Sequence, residues 1–211
     1  EDAYLIDGTG KVAAAGMVNA HTHIAMTLLR SYADDMALMD WLQNKVWPAE
    51  AGLKEGDCTV GTQLGILEML QSGTTAYADM YFFMEETAKV SAETGIRACL
   101  ARGLMGEKYD KEDERLKENI KLFHDWNGRA NGRITVMLGP HAPYTCSADY
   151  LRLTADTAKE LGCGIHIHLA ETQQEVKDCV AKNGMTPIQF VDSLGILDAG
   201  CLVAHGVWAT D

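Results

Sequence analysis

Two hydrophobic rhythms alternate along the chain. Short apolar runs such as CLARGL, ITVML, IHIHLA and CLVAH have the length and composition of buried strands. Between them lie longer segments whose apolar residues return every three to four positions, the period of a helix with one buried face. Strands are predicted around residues 17–23, 74–79, 97–104, 133–141, 164–170 and 201–205. The first helix has Asp57 as N-cap, an apolar stripe of Val60, Leu64, Leu67 and Leu70, and Gly73 as its stop. Helices follow at 85–94, closed by Gly95, and at 111–128, with Leu116, Ile120 and Phe123 on one face. Another spans 148–161 and ends at Gly162. Thr172-x-x-Glu175 reads as a capping box before a helix that ends at Gly184. Thr186 then Pro187 is an N-cap with proline at N1, for a helix closed by Gly195.

Strand–helix alternation with short connections is the pattern of a parallel sheet covered by helices. A doubly wound sheet and an incomplete (β/α)8 barrel both fit it. The placement of histidine separates them. His21, His23, His141, His168 and His205 fall at or near the C-terminal ends of four different predicted strands. In a barrel those ends ring one mouth. In a doubly wound sheet only the strands beside the switch point converge in this way. Convergence favours the barrel.

His21 and His23 are two residues apart, so on a strand they share a face and could grip one metal ion. A bare His-x-His is also compatible with two unrelated polar residues at a strand end. His168 is followed three residues later by Glu171, which puts a carboxylate beside a candidate ligand without making it one. Glu171 could equally belong to the helix start that Thr172 opens. His166 lies one pleat deeper than His168 and reads as a buried, hydrogen-bonded histidine, with orientation of a ligand as the alternative. His124 is mid-helix and is assigned to packing or solvent. Gly8-x-Gly10-x-x-Ala13 leads into no helix, so it is a turn rather than a dinucleotide fingerprint. The residues before Met17 read as a short strand and that turn.

Composition narrows the function classes. Of 211 residues, 47% are apolar and 23% charged, enough for a sizeable core. The net charge of -12 disfavours a nucleic-acid polymer or an anionic membrane as partner. No apolar stretch is long enough to span a bilayer. Six scattered cysteines without a CxxC pair give no support to a zinc ribbon or a thioredoxin-like site and suit a reducing, cytoplasmic setting.

GMVNAHTH, GPHAPYTCS, HIHLAET and VAHG, in this order, resemble the amidohydrolase superfamily of metal-dependent barrel hydrolases. WLQNKVWPAE, SGTTAYADMYF and RLKENIKLFHDWNG further resemble its 5'-methylthioadenosine/S-adenosylhomocysteine deaminase branch. The resemblance implies that His21, His23 and His168 ligate one divalent metal, with zinc expected first and iron or manganese as alternatives. It makes Glu171 the proton-shuttling carboxylate and His205 the histidine at the attacking water. It assigns Glu50 to the sugar hydroxyls, His141 to substrate contact, and Arg102 and Arg115 to a substrate carboxylate. It implies a fold that is a TIM-like barrel with about six strands present. Residues 1–16 would be a remnant of a small β-sandwich, and 17–211 the partial barrel.

The reaction expected from the resemblance is hydrolytic deamination of a small nucleoside, an adenosine derivative, to the inosine derivative and ammonia. Guanine deamination and s-triazine hydrolysis use the same ligand set and remain alternatives. An inactive metal-binding fragment is the alternative of another class, because the family's final Asp ligand has no match here. Assembly into a homo-oligomer is left open. Six parallel strands should form one curved sheet with a gap between the first and the sixth.

Overall fold

The computed structural model describes residues 3–210. Every strand pairing in it is parallel. The strands are β1 (Met17–Thr22), β2 (Thr74–Tyr81), β3 (Arg97–Leu104), β4 (Ile134–Val136), β5 (Gly139–Pro140), β6 (Ile165–Leu169) and β7 (Cys201–His205). The helices that cover them are α1 (Asp57–Gln71), α2 (Met84–Thr94), α3 (Glu114–Trp126), α4 (Ala148–Leu161), α5 (Gln173–Asn183) and α6 (Pro187–Asp192). This is an α/β fold with a parallel core, an open and incomplete barrel of the TIM type. Two apolar cores pack between strands and helices, one around Leu100 and Ile66, the other around Leu151 and Ile167.

The predicted strand 133–141 is interrupted. β4 and β5 both pair with β3, and the ladder breaks between them. The cause is Asn119 of α3, which is fully buried. Its Oδ1 accepts from the amides of Arg102 (3.1 Å) and Gly139 (3.2 Å), and its Nδ2 donates to Met137 O at 3.0 Å. A side chain thus replaces ladder bonds that a continuous strand would make. The expected single sheet is consequently two: β1-β2-β3-β4 with β5 on β3, and β6-β7. They are joined through Leu138, whose N–H donates to Gly164 O (3.0 Å) and whose carbonyl accepts from His166 N–H (2.8 Å). β1 and β7 make no ladder with each other, which leaves the predicted gap between the first and last strands.

Several helix details differ from expectation: α3 starts at Glu114 with Asp113 as N-cap rather than at 111, and α6 ends at Asp192 with Ser193 as C-cap, short of Gly195. The N-cap of α1 is Gly56, at φ 94, and not Asp57. Asp57 is the first helical residue, and its carboxylate accepts instead from Lys54 N–H at 2.7 Å. The stripe Val60, Leu64, Leu67, Leu70 faces solvent, while Cys58, Gly61, Thr62, Gly65 and Ile66 face inward. The glycines decide this. A Cβ at Gly61 would stand 2.5 Å from Ala25 O, and one at Gly65 2.4 Å from the Ile24 side chain. Only this face permits so close an approach to the chain after β1. The Thr172 capping box is half formed: Thr172 Oγ1 accepts from Glu175 N–H at 3.1 Å, but the Glu175 carboxylate bonds elsewhere.

Residues 3–16 form no strand, because no other described segment pairs with them; a turn with Lys11 N–H on Gly8 O marks the Gly8–Gly10 stretch. Between β1 and α1 the chain makes short helical pieces at Ile24–Leu29, Leu38–Trp41, Leu42–Val46 and Trp47–Glu50. No helix among the described residues is long and apolar enough to cross a membrane.

Candidate metal centre

His21 sits on β1, His23 directly after it, and His168 near the end of β6. Each offers one nitrogen to a common point, with the three nitrogens within 4.8 Å of one another. The rings are held by their other nitrogens. His23 Nδ1 meets Met80 O, and His168 Nδ1 meets His141 O at 2.8 Å. A carbonyl can only accept, so both Nδ1 atoms carry the proton and both Nε2 atoms present lone pairs. Those lone pairs face each other across 3.3 Å. Two acceptors so placed repel unless a cation lies between them, so the donor set fits a metal ion. His21 Nδ1 contacts His166 Nε2 at 2.9 Å, which leaves its own Nε2 for the same point.

Electrostatics agree with ligation by neutral imidazoles. Burial first, and the neighbouring histidines second, lower the His21 pKa to about 3. Burial likewise lowers His23 and His168. His141 and His166 are each lowered to about 4, again chiefly by burial. Proton and metal compete for the same lone pair, so a depressed pKa favours the metal.

Beside the histidines, Glu171 and His205 form a pair, with Oε1 to Nε2 at 3.6 Å. Burial and the nearby Glu175 raise the Glu171 pKa, and His205 opposes them. The Glu175 carboxylate accepts from the amides of Ala170 (2.9 Å) and Glu171 (2.8 Å). It pins the loop that carries Glu171, with Ala170 in the left-handed region at φ 51. His205, at φ 72, also departs from ordinary strand backbone. His141 follows β5, hydrogen-bonds Thr145 Oγ1 at 2.9 Å, and has its ring 4.8 Å from that of His168.

Glu50 ends the helical piece Trp47–Glu50 and shares a small cavity with His23, Tyr81 and His141. Burial raises its pKa, and a hydrogen bond from the Tyr81 hydroxyl works against that rise. This cavity adjoins a groove of about 650 Å³ that Arg102 and Arg115 line. The structure therefore gathers His21, His23, His168, His141, Glu171 and His205 in one cluster, with Glu50 next to it and the two arginines one step farther out.

Several residues here are not marked out by any pattern in the chain. Tyr81 is one, although its position at a strand end follows the rule that singled out the histidines. Asp79 is another: fully buried, it accepts from Ile24 N–H at 2.7 Å and holds the turn after His23. Burial raises its pKa to about 7. Glu118 looks like any other acidic residue of a helix surface, and Glu175 reads only as a capping-box residue, with no sign that it holds the Ala170–Glu171 loop.

The amidohydrolase family profile matches residues 12–211. The chain is 50% identical over 208 residues to the 5-methylthioadenosine/S-adenosylhomocysteine deaminase of Caldanaerobacter subterraneus subsp. tengcongensis, covering 98% of this chain and 48% of that protein. It thus spans about half the length of the curated relatives it matches. Among solved structures, a zinc-bound adenosine deaminase from Xanthomonas campestris aligns with TM-score 0.85 at 36% identity, over 93% of this chain and 45% of that one. A guanine deaminase from C. acetobutylicum aligns with TM-score 0.78 at 18% identity, over 93% and 50%, a likeness of fold alone. With the profile reaching from the approach to β1 through β7, and the histidines gathered at the strand ends, the chain belongs to the amidohydrolase family.

Proposed function

We propose that the chain carries the metal-binding part of a deaminase acting on an adenosine derivative, with S-adenosylhomocysteine, 5'-methylthioadenosine or adenosine as the substrate class. The observation that carries this reading is the convergence of three neutral imidazoles on one point, with the Glu171–His205 pair beside it. The relative at 50% identity, a deaminase of adenosine nucleosides by name, supports the substrate class.

His21, His23 and His168 would hold one divalent metal, zinc in the first instance. When bound, the metal supplies Lewis acidity that makes water a nucleophile at neutral pH. The chain's own groups do the rest. Glu171 takes one proton of the water on its carboxylate and gives it to the ring nitrogen; it then takes the second proton from the added hydroxyl and gives it to the amine, which leaves as ammonia as the C–N bond breaks and the carbonyl forms. Its raised pKa brings it closer to the pH at which a carboxyl both accepts and donates. His205 orients the nucleophile, and Glu175 keeps Glu171 in place through the two amides. His141 contacts the base, and Glu50 accepts from the sugar hydroxyls beside Tyr81. Arg102 and Arg115 face a carboxylate on the 5' substituent. The reading needs no nucleic-acid polymer and no membrane.

Guanine and s-triazine substrates would use the same histidines. Glu50 and the arginine pair favour a ligand that has both a sugar and an anionic tail. The test is ammonia release by the zinc-loaded protein from methylthioadenosine, S-adenosylhomocysteine, adenosine and guanine. Turnover of the adenosine compounds, lost on chelation and regained with zinc, is expected. Turnover of guanine alone, or of none, would contradict the proposal.

A further inference from the structure

The groove outside the histidine cluster holds an ion pair, Arg102 with Glu118, of which the deaminase reading uses only the arginine. The Arg102 side chain is only 13% exposed, its guanidinium lies 4.9 Å from the Phe82 ring centroid, and its Nε donates to Glu118 Oε2 at 2.7 Å. Arg115 enters the same groove from the first turn of α3 and donates through Nη1 to Met105 O at 2.6 Å. Lys121, the remaining cation of the groove, is engaged by Glu85 and Asp125.

This arrangement discriminates among ligand tails by charge. A tail with a carboxylate alone would reach Arg102 and meet Glu118 on the same guanidinium, like charge against like. A neutral tail gains from neither partner. A tail that carries a carboxylate and an ammonium side by side satisfies both, the carboxylate on the guanidinium and the ammonium on Glu118. Four charges then alternate in sign.

We propose that Glu118 is a specificity-determining residue that makes this groove select a zwitterionic amino-acid tail over a tail with a carboxylate alone. The inference rests on the deaminase reading, with the base at the histidines and the 5' substituent in the groove. Glu118 contributes the negative half of the recognition, and it acts at the tail rather than at the reacting atoms. Its side chain is 60% exposed, so the selectivity is sensitive to added salt.

The test compares kcat/KM of the zinc-loaded protein for S-adenosylhomocysteine and for its analogue with hydrogen in place of the α-ammonium. Both are referenced to methylthioadenosine in the same variant. Unit charges about 4 Å apart near a protein surface alter an equilibrium by roughly tenfold or more. The wild type should therefore favour the zwitterion by about tenfold. Glu118→Gln keeps an oxygen for Arg102 Nε and removes the charge, so it should reduce that preference to within about threefold, and high salt should shrink the wild-type preference. A wild type without preference, or a Glu118→Gln variant that keeps it, overturns the proposal while methylthioadenosine turnover leaves the deaminase reading standing. Absence of methylthioadenosine turnover in the wild type sinks that reading and this inference with it.

Discussion

At the scale of single residues, the site depends on protons being in the right place. His23 and His168 are locked into the tautomer that exposes Nε2 because a backbone carbonyl occupies each Nδ1. Burial lowers the pKa of all three ligating imidazoles and so keeps them neutral to lower pH than free histidine. Ordinary imidazoles would be roughly nine-tenths protonated at pH 5.5, and three of them would weaken a metal about a thousandfold. Here a lowered pKa, about 3 for His21, means the ligating form persists to lower pH. Zinc affinity measured by competition titration should fall less than about tenfold between pH 7.5 and 5.5, whereas a thousandfold fall would show ordinary imidazoles. Glu171→Gln keeps the side-chain shape and removes proton transfer. It should lower kcat by about 100- to 10,000-fold and leave the bound metal, counted by atomic absorption, near the wild-type content. Loss of the metal together with activity would make Glu171 a ligand or a folding residue.

At the scale of elements, one buried amide organises three. Asn119 ties α3 to the amides of Arg102 and Gly139 and to Met137 O. Asn119→Ala would orphan buried backbone groups and should cost about 2–4 kcal/mol, read as a lower urea midpoint. A change below about 0.5 kcal/mol would mean the strand break has another cause. The strands and most helices were readable from the chain because period-2 and period-3.6 patterns report burial directly. His21 and His23 were readable as a pair because strand geometry puts i and i+2 on one face, whereas His168 joined them as a ligand only through the resemblance. What escaped depends on contacts made only after folding. The inward face of α1 is set by Gly61 and Gly65 against the chain after β1, so the apolar stripe pointed the wrong way. Glu175 reads as a helix cap until the Ala170 loop exists for it to bind. The wide and tight helical turns between Ile24 and Glu50 have no single period to detect, so Glu50 was placed by resemblance alone.

At the scale of the whole molecule, the open barrel leaves apolar surface uncovered. Val60 (58% exposed) and Leu67 (52%) stand on the outer face of α1, and Val18 (68%) on the edge strand β1. Bare strand edges and apolar patches invite association. The net charge of -12 opposes it, and salt removes that opposition. Residues 1–211 alone should self-associate in sedimentation velocity, more strongly as salt rises, and Leu64→Glu with Leu67→Glu should weaken the association. A monomer at every salt concentration would mean that these surfaces are covered in a way the open barrel does not provide.

The convergence of the histidines is tested most directly by zinc K-edge X-ray absorption on the zinc-loaded protein. Three imidazole nitrogens at about 2.0–2.1 Å are expected, with one lost in His168→Ala and no sulfur scatterer. Zinc bound through sulfur, or an imidazole count unchanged in His168→Ala, would contradict a metal centre built from His21, His23 and His168.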